Sequence, residues 1–393
     1  MRQPCDGSFF PPAATFWVAA SVLVLSLWAS GAPAMLYPEF AARWDTGPVV
    51  TTALFAVYPV ALVLVMVLGG SLSDRFGRRR LMLAGTIIVA LASLLFAIAQ
   101  LPAVAFGGRI FQGAGVGLAM SAASAAMVEA NRGTSTRASA VNTAATALGA
   151  AAAILVGGWL VEYTADPTHL AFWVLLGFVG ALVVAVLMLP ATARSASARS
   201  RRPLLTIPRD NRHVFVLGTV AVTVAFITGA VFLALGAQII RDLVGTTNAF
   251  LAAATLATWP VVIVPVTLLA TRLRPASAVQ LGGMIAAVGF VLLLLVGTAD
   301  SLALFLGAAL LAGVGYGFLL YGGLGMVTST TDTTHRASTF STMYLTAYLA
   351  QGSIAVLVGA LATTTSLATA IAVAVPVIAL LCIGTTALAR RRR

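Results

Sequence analysis

The chain has 393 residues, of which 60% are hydrophobic and 9% charged; a soluble domain carries roughly 25% charged residues, so this composition cannot clothe a water-exposed surface. The net charge of +12 comes from 23 basic residues, all arginine, set in short loops without interleaved aromatics, which argues against a nucleic-acid-binding patch. Cys5 and Cys382 stand at opposite ends, and His169, His213 and His335 fall at span ends or in loops, so neither a disulfide framework nor a metal site is indicated.

A hydrocarbon core about 30 Å thick takes about 20 apolar residues per crossing helix. Apolar runs bounded by charge, proline or glycine predict twelve such spans, near 16–37, 47–71, 81–100, 102–128, 138–162, 169–190, 213–238, 247–271, 277–298, 301–327, 338–361 and 366–389. The expected fold is therefore an all-α integral membrane protein. An even number of spans puts both termini on one side. With the termini cytoplasmic, 20 of the 23 arginines fall in inside loops, only Arg43 and Arg241 lie outside, and Arg109 sits within a span, which fixes the orientation by the excess of positive charge inside. Ala32-Pro33-Ala34 has the look of a signal-peptidase site, but only Arg2 precedes it and the run is needed as the first span, so it is read as retained.

Taken in chain order, span one offers Ser26, Trp28 and Ser30, and Glu39 follows Pro38 at its outer end. The loop after span two reads Gly70-Ser71-Leu72-Ser73-Asp74-Arg75-Phe76-Gly77-Arg78-Arg79-Arg80. Gly70 permits close helix approach, Gly77 a tight turn, and the aspartate and arginines an ion-pair cluster at the membrane face, able to lock two bundles and release them. This loop resembles the signature of the major facilitator superfamily, with Ser73 in place of the usual alanine, and the resemblance spans essentially the whole chain. It implies two pseudo-symmetric six-helix bundles and a conformational latch made by Gly70, Asp74, Arg75, Gly77, Arg78, Arg79 and Glu129, with Asp74 near the start of span eleven and Arg75 and Arg78 joining Glu129. The equivalent loop of the second half, Thr271 to Pro275, lacks the aspartate and glycines, so the latch is asymmetric.

In span four, Gly108-Arg109-Ile110-Phe111-Gln112-Gly113 resembles a pattern of proton-coupled members. Arg109 lies about 10 Å inside the outer boundary, counting 1.5 Å per residue from Pro102, where a guanidinium must pair, face water or reach the headgroups. Coupling is assigned to Arg109, Gln112 and Glu39; span one holds no carboxylate, so Glu39 is the expected partner of Arg109. Span five keeps the flanking glycines of the exporter pattern at Gly149, Gly157 and Gly158, with Ala153-Ile154 where exporters have Gly-Pro.

Residues 191–212, with six arginines and scattered serines and prolines, read as a cytoplasmic linker between an N-terminal bundle, 1–190, and a C-terminal bundle, 213–393. The halves echo one another: Gly113, Gly115 and Gly117 recur as Gly313, Gly315 and Gly317, and Arg137-Ala138-Ser139 as Arg336-Ala337-Ser338. Duplicated halves place a substrate path between them near the midplane. Its expected lining is Trp28, Asn142, Trp259, Tyr316, Tyr344, Tyr348 and Gln351, a set rich in aromatics. Mid-membrane there is no acid and a single arginine, so a neutral or weakly charged, largely apolar cargo is expected. The resemblance implies a secondary transporter like bacterial drug or metabolite:proton antiporters, multi-pass in the inner membrane, monomeric, contacting lipid and a small molecule, without nucleic acid, metal or cofactor and driven by a proton gradient. An uptake symporter and a non-transporting scaffold or sensor are the other readings; no catalytic constellation suggests an enzyme.

Overall fold

The structure is a computed structural model that describes residues 12–69, 76–130, 135–190, 207, 211–329 and 336–390. Among them are thirteen helices and no strand: α1 (Pro12–Gly31), α2 (Tyr37–Trp44), α3 (Pro48–Gly69), α4 (Arg78–Ala97), α5 (Pro102–Ala130), α6 (Ser135–Tyr163), α7 (Pro167–Met188), α8 (Arg212–Asp242), α9 (Ala249–Ala270), α10 (Pro275–Ala299), α11 (Leu302–Ser329), α12 (Arg336–Thr364) and α13 (Leu367–Arg390). All but α2 are long and apolar enough to cross a membrane, giving the twelve expected spans. Most of the linker expected at 191–212 falls outside the described residues.

The first span departs from expectation. Instead of running to residue 37 it stops at Gly31, turns through residues 32–36, and restarts as the short helix α2. Pro33 supplies no N–H to extend a helix, while Pro38, in the first turn of α2, suits a helix start. α2 is amphipathic: Tyr37 and Phe40 are buried, and Glu39 and Arg43 point outward. Phe40 packs near Phe96 and Phe172, which themselves stack at 4.4 Å between ring centroids. Arg43 ties α2 to the start of α7, donating to Asp166 Oδ1 at 3.0 Å and to the Thr168 hydroxyl. Burial works to raise the Asp166 carboxyl, but hydrogen bonds from His169, Arg43 and Thr168 outweigh it and hold the group at about 2.

The two ends of the bundle differ in charge. α4 begins with Arg78, Arg79 and Arg80, α8 with Arg212, and α13 ends at Arg390, which makes this the basic end. The opposite end carries α2.

Each half is tightened by the repeated glycines, and they do the same work twice. A Cβ on Gly113 would stand 2.4 Å from the Tyr58 carbonyl oxygen of α3, and one on Gly313 would stand 2.6 Å from the Trp259 carbonyl oxygen of α9. Gly115 meets the backbone of α4 at Val89, and Gly315 that of α10 at Ala286. In both halves, then, one face of the fourth span lies against the second span and the next against the third, with backbones close enough that only glycine fits.

The halves meet along two seams, α3 with α12 and α6 with α9, which are equivalent under the same internal symmetry. Near the α2 end both are shut. Gly359 of α12 lies against the Thr52 hydroxyl, and Gly158 of α6 against Ala253 Cβ. Polar links cross there as well. Val49 N donates to Thr363 Oγ1 at 2.9 Å, Ala249 N donates to Glu162 Oε2 at 2.6 Å, and Arg241 of α8 reaches Glu39 of α2 at 3.4 Å.

Candidate functional site

Between the halves lies a cavity of about 720 Å³, within the range of roughly 300–1,000 Å³ usual for small-molecule sites. It starts beneath α2, at Tyr37 and Arg109, and reaches the basic end at Thr267 of α9 and at Thr328 and Ser329, the last residues of α11. The cavity is thus closed at one end by the seams and runs toward the other.

One wall comes from the N-terminal half. α3 presents Tyr58 followed by Pro59, α5 presents Arg109, and α6 presents Asn142 and Thr146. Arg109 is 1% exposed. Its Nη1 donates to the Ser30 carbonyl at 3.0 Å and to Gln112 Oε1, and its Nη2 donates to the Tyr37 hydroxyl. Gln112 is held in turn, donating from Nε2 to the Ala29 carbonyl at 2.7 Å. The guanidinium carbon also sits 5.4 Å from the Tyr58 ring centroid and 5.9 Å from that of Tyr37, where the negative ring faces offset part of the cost of burying the charge. The long side chain does not snorkel to the headgroups. It turns inward to neutral oxygens and rings.

The other wall is aromatic. Phe226 of α8 is 4.7 Å from Tyr348 and 6.2 Å from Tyr316, centroid to centroid, and Trp259 of α9 meets Tyr316 edge-on at 5.2 Å. Gly229 leaves room for the indole, since a Cβ there would be 3.0 Å from Trp259 Cζ2. Trp259 precedes Pro260 as Tyr58 precedes Pro59, and both aromatics line the cavity from equivalent spans.

Of the residues expected to line the path, Asn142, Trp259, Tyr316, Tyr344, Tyr348 and Gln351 do so. Trp28 does not: it packs on Phe178 at 5.3 Å, because Leu27, Ser30 and Gly31 occupy the cavity face of α1 and Trp28 lies about 100° around the helix from Leu27. The expected Arg109–Glu39 contact is likewise corrected. The turn after α1 carries Glu39 onto the outward face of α2, where it meets Arg241, and leaves Tyr37 as the α2 residue facing Arg109.

At the signature loop, Gly70, Asp74 and Arg75 lie outside the described residues. Gly77 has φ of 86°, a left-handed conformation suited to glycine, immediately before α4. Arg78 Nε lies 3.0 Å from Glu129 Oε1 at the end of α5, and Arg79 donates to the carbonyls of Val186 and Leu187 at the end of α7. Arg78 and Arg79 therefore fasten α4 to its neighbours within one half.

Sequence reasoning missed Tyr37, Tyr58 and Phe226. The doublets Tyr58-Pro59 and Trp259-Pro260, set 201 apart and so within one residue of the 200 that relates the glycines, were a usable signal for Tyr58. Phe226 sits in an unbroken apolar run that carries none.

A profile of the Major Facilitator Superfamily matches residues 16–352. No curated protein matches the sequence. Among solved structures, a mutant of the nucleoside transporter NupG superposes with TM-score 0.77 at 13% identity, covering 95% of this chain and 99% of that one. A mutant of the peptide transporter POT in complex with sulfate gives 0.78 at 16%, covering 99% and 96%. A bacterial homologue of the human lysosomal transporter Spinster, in an inward-facing and unoccupied conformation, gives 0.75 at 12%, covering 98% and 97%. At these identities the neighbours establish the fold, and the profile, spanning most of the sequence, establishes the family: the chain belongs to the Major Facilitator Superfamily and is a multi-pass membrane transporter.

Proposed function

We propose that this protein is a proton-coupled exporter of a small, largely apolar molecule, working by alternating access in the bacterial inner membrane with both termini in the cytoplasm. The observation that carries the reading is the cavity itself: it lies between two equivalent halves, is walled mostly by aromatic and apolar side chains, and has a volume suited to a drug-sized ligand. With the arginine-rich end cytoplasmic by the positive-inside rule, the cavity of this conformation faces the cytoplasm, the side from which an exporter loads. The Spinster homologue of like fold was itself solved inward-facing. The proposed cycle opens the Glu39–Arg241 and Glu162–Ala249 links while the signature loop closes the cytoplasmic side. Glu39 retains a part in coupling, through its contact with Arg241 between the halves rather than through Arg109.

The test is growth of an efflux-deficient bacterium expressing the chain on a panel of apolar antibiotics and dyes, beside Asp74→Asn and Arg109→Ala. Resistance that both substitutions abolish is the expected result. Sensitivity unchanged from vector, at normal membrane expression, overturns export of such compounds; raised sensitivity points to uptake.

A further inference from the structure

Two buried donors on the cavity wall lack an acceptor among the described residues: Arg109 Nε from one half and Trp259 Nε1 from the other. Both side chains are almost fully enclosed, at 1% and 4% exposure. A buried N–H without a partner is costly, and a cationic one more so, so each is a standing demand for an acceptor. The other bonds of Arg109 go to a carbonyl, an amide oxygen and a phenol, all neutral. No aspartate or glutamate is among the described residues lining the cavity, and the carboxylate expected to compensate the charge, Glu39, is taken by Arg241.

The chemistry of the guanidinium narrows the acceptor further. Of its five N–H groups, the bonds found here occupy two on Nη1 and one on Nη2. That leaves two N–H donors, the Nε–H and one on Nη2, for a further acceptor, and a carboxylate has the two oxygens to take both. Tyr58 lies beside the guanidinium, and Tyr316, Tyr348 and the Trp259 indole line the same cavity, surfaces for a flat ring.

We propose that the cargo is an aromatic monoanion: a planar ring system bearing one carboxylate, the carboxylate taken by the unpartnered donors of Arg109 and the ring lying among the aromatics of α3, α9, α11 and α12. One negative charge matches Arg109, the one charged side chain among the described residues lining the cavity. This rests on the reading of the cavity as the cargo site and is independent of the direction of transport.

The experiment is equilibrium binding to the purified full-length protein of three probes that share one ring, 2-naphthoate, 2-naphthamide and 2-naphthylmethylammonium, near neutral pH. The expected order is naphthoate tighter than naphthamide by about tenfold, the margin of a charge-assisted over a neutral hydrogen bond, with the ammonium weakest. Arg109→Gln removes the preference for naphthoate over naphthamide; Arg109→Lys restores part of the difference. Trp259→Phe, which keeps a ring and removes the N–H, weakens naphthoate by about threefold. The ranking on the unsubstituted protein decides the matter even where a substitution at Arg109 prevents folding. Equal binding of naphthoate and naphthamide, or preference for the ammonium, overturns the anion inference and leaves the apolar cargo site standing. Failure of all three to bind overturns both.

Discussion

The two halves share one backbone plan and divide the chemistry. Gly113 and Gly313 each admit the carbonyl of an aromatic residue that precedes a proline, Tyr58 in one half and Trp259 in the other. In the same register, though, Arg109 and Gln112 of α5 correspond to Ala309 and Ala312 of α11, all four buried. The N-terminal half thus holds a cation beside Tyr58, whereas in the C-terminal half the matching space is taken by rings, with Trp259 against Tyr316 and Phe232. What the duplication keeps is what close helix packing requires. What it lets diverge includes residues that line the cavity, Arg109 in one half and Trp259 in the other.

The shared part is the easiest to break. Gly113→Val and Gly313→Val each force a branched side chain into backbone already within 2.4–2.6 Å of the first added carbon, at a cost of about 3 kcal/mol or more. Both variants should lose nearly all folded protein in membranes, and by similar amounts; survival of either by size-exclusion profile would undo the equivalence. The divergent part separates function from folding. Trp259→Phe, which keeps a ring in the packed site, should keep a substantial folded yield and weaken cargo binding by about threefold, whereas Tyr163→Ala, an exposed aromatic away from the cavity, should leave binding unchanged.

A contrast between the ends is smaller in effect. Glu162→Gln removes the carboxylate that accepts from Ala249 N at the start of α9, where a negative charge also favours the helix N-terminus by about 0.3–1 kcal/mol. The population open at the α2 end should rise a few-fold, seen as faster labelling of a cysteine placed at Thr146 by a membrane-impermeant reagent from outside; unchanged labelling would show that this link does not hold the seam. The least effect is expected at Asp166. Its pKa is lowered in the fold, so its contribution is present above the ordinary carboxylate value and is lost as pH falls toward about 2. Because the side chain is 53% exposed, Asp166→Asn should lower the melting temperature by only about 1–2 °C at neutral pH, and the difference from the unsubstituted protein should vanish in that acid range.

Much of this plan could be read from the chain alone, because a membrane imposes length and apolarity on each crossing and arginines mark one face. The glycine triplets were equally legible: a residue with no side chain, repeated at one offset, signals backbone contact in both halves. The failures came where one turn alters direction. A continuous apolar run hid the break at Gly31, and with it the outward rotation of Glu39 and the inward placement of Tyr37 against Arg109. Trp28 failed for a related reason: membrane helices are apolar on all sides, so hydrophobic periodicity does not say which side faces a partner helix and which a cavity. Asn142, Gln351 and the three tyrosines were findable because polar atoms in hydrocarbon need a reason to be there.

The measurement closest to the central claim uses inverted membrane vesicles loaded with the unsubstituted protein and energised so that their interior is acidic, with an aromatic dye outside. Export from the cytoplasmic face through the inter-half cavity predicts uptake of the dye into the vesicles, abolished by a proton ionophore and by Arg109→Gln. Dye uptake indifferent to both, or a flux in the opposite direction under the same gradient, would contradict the account.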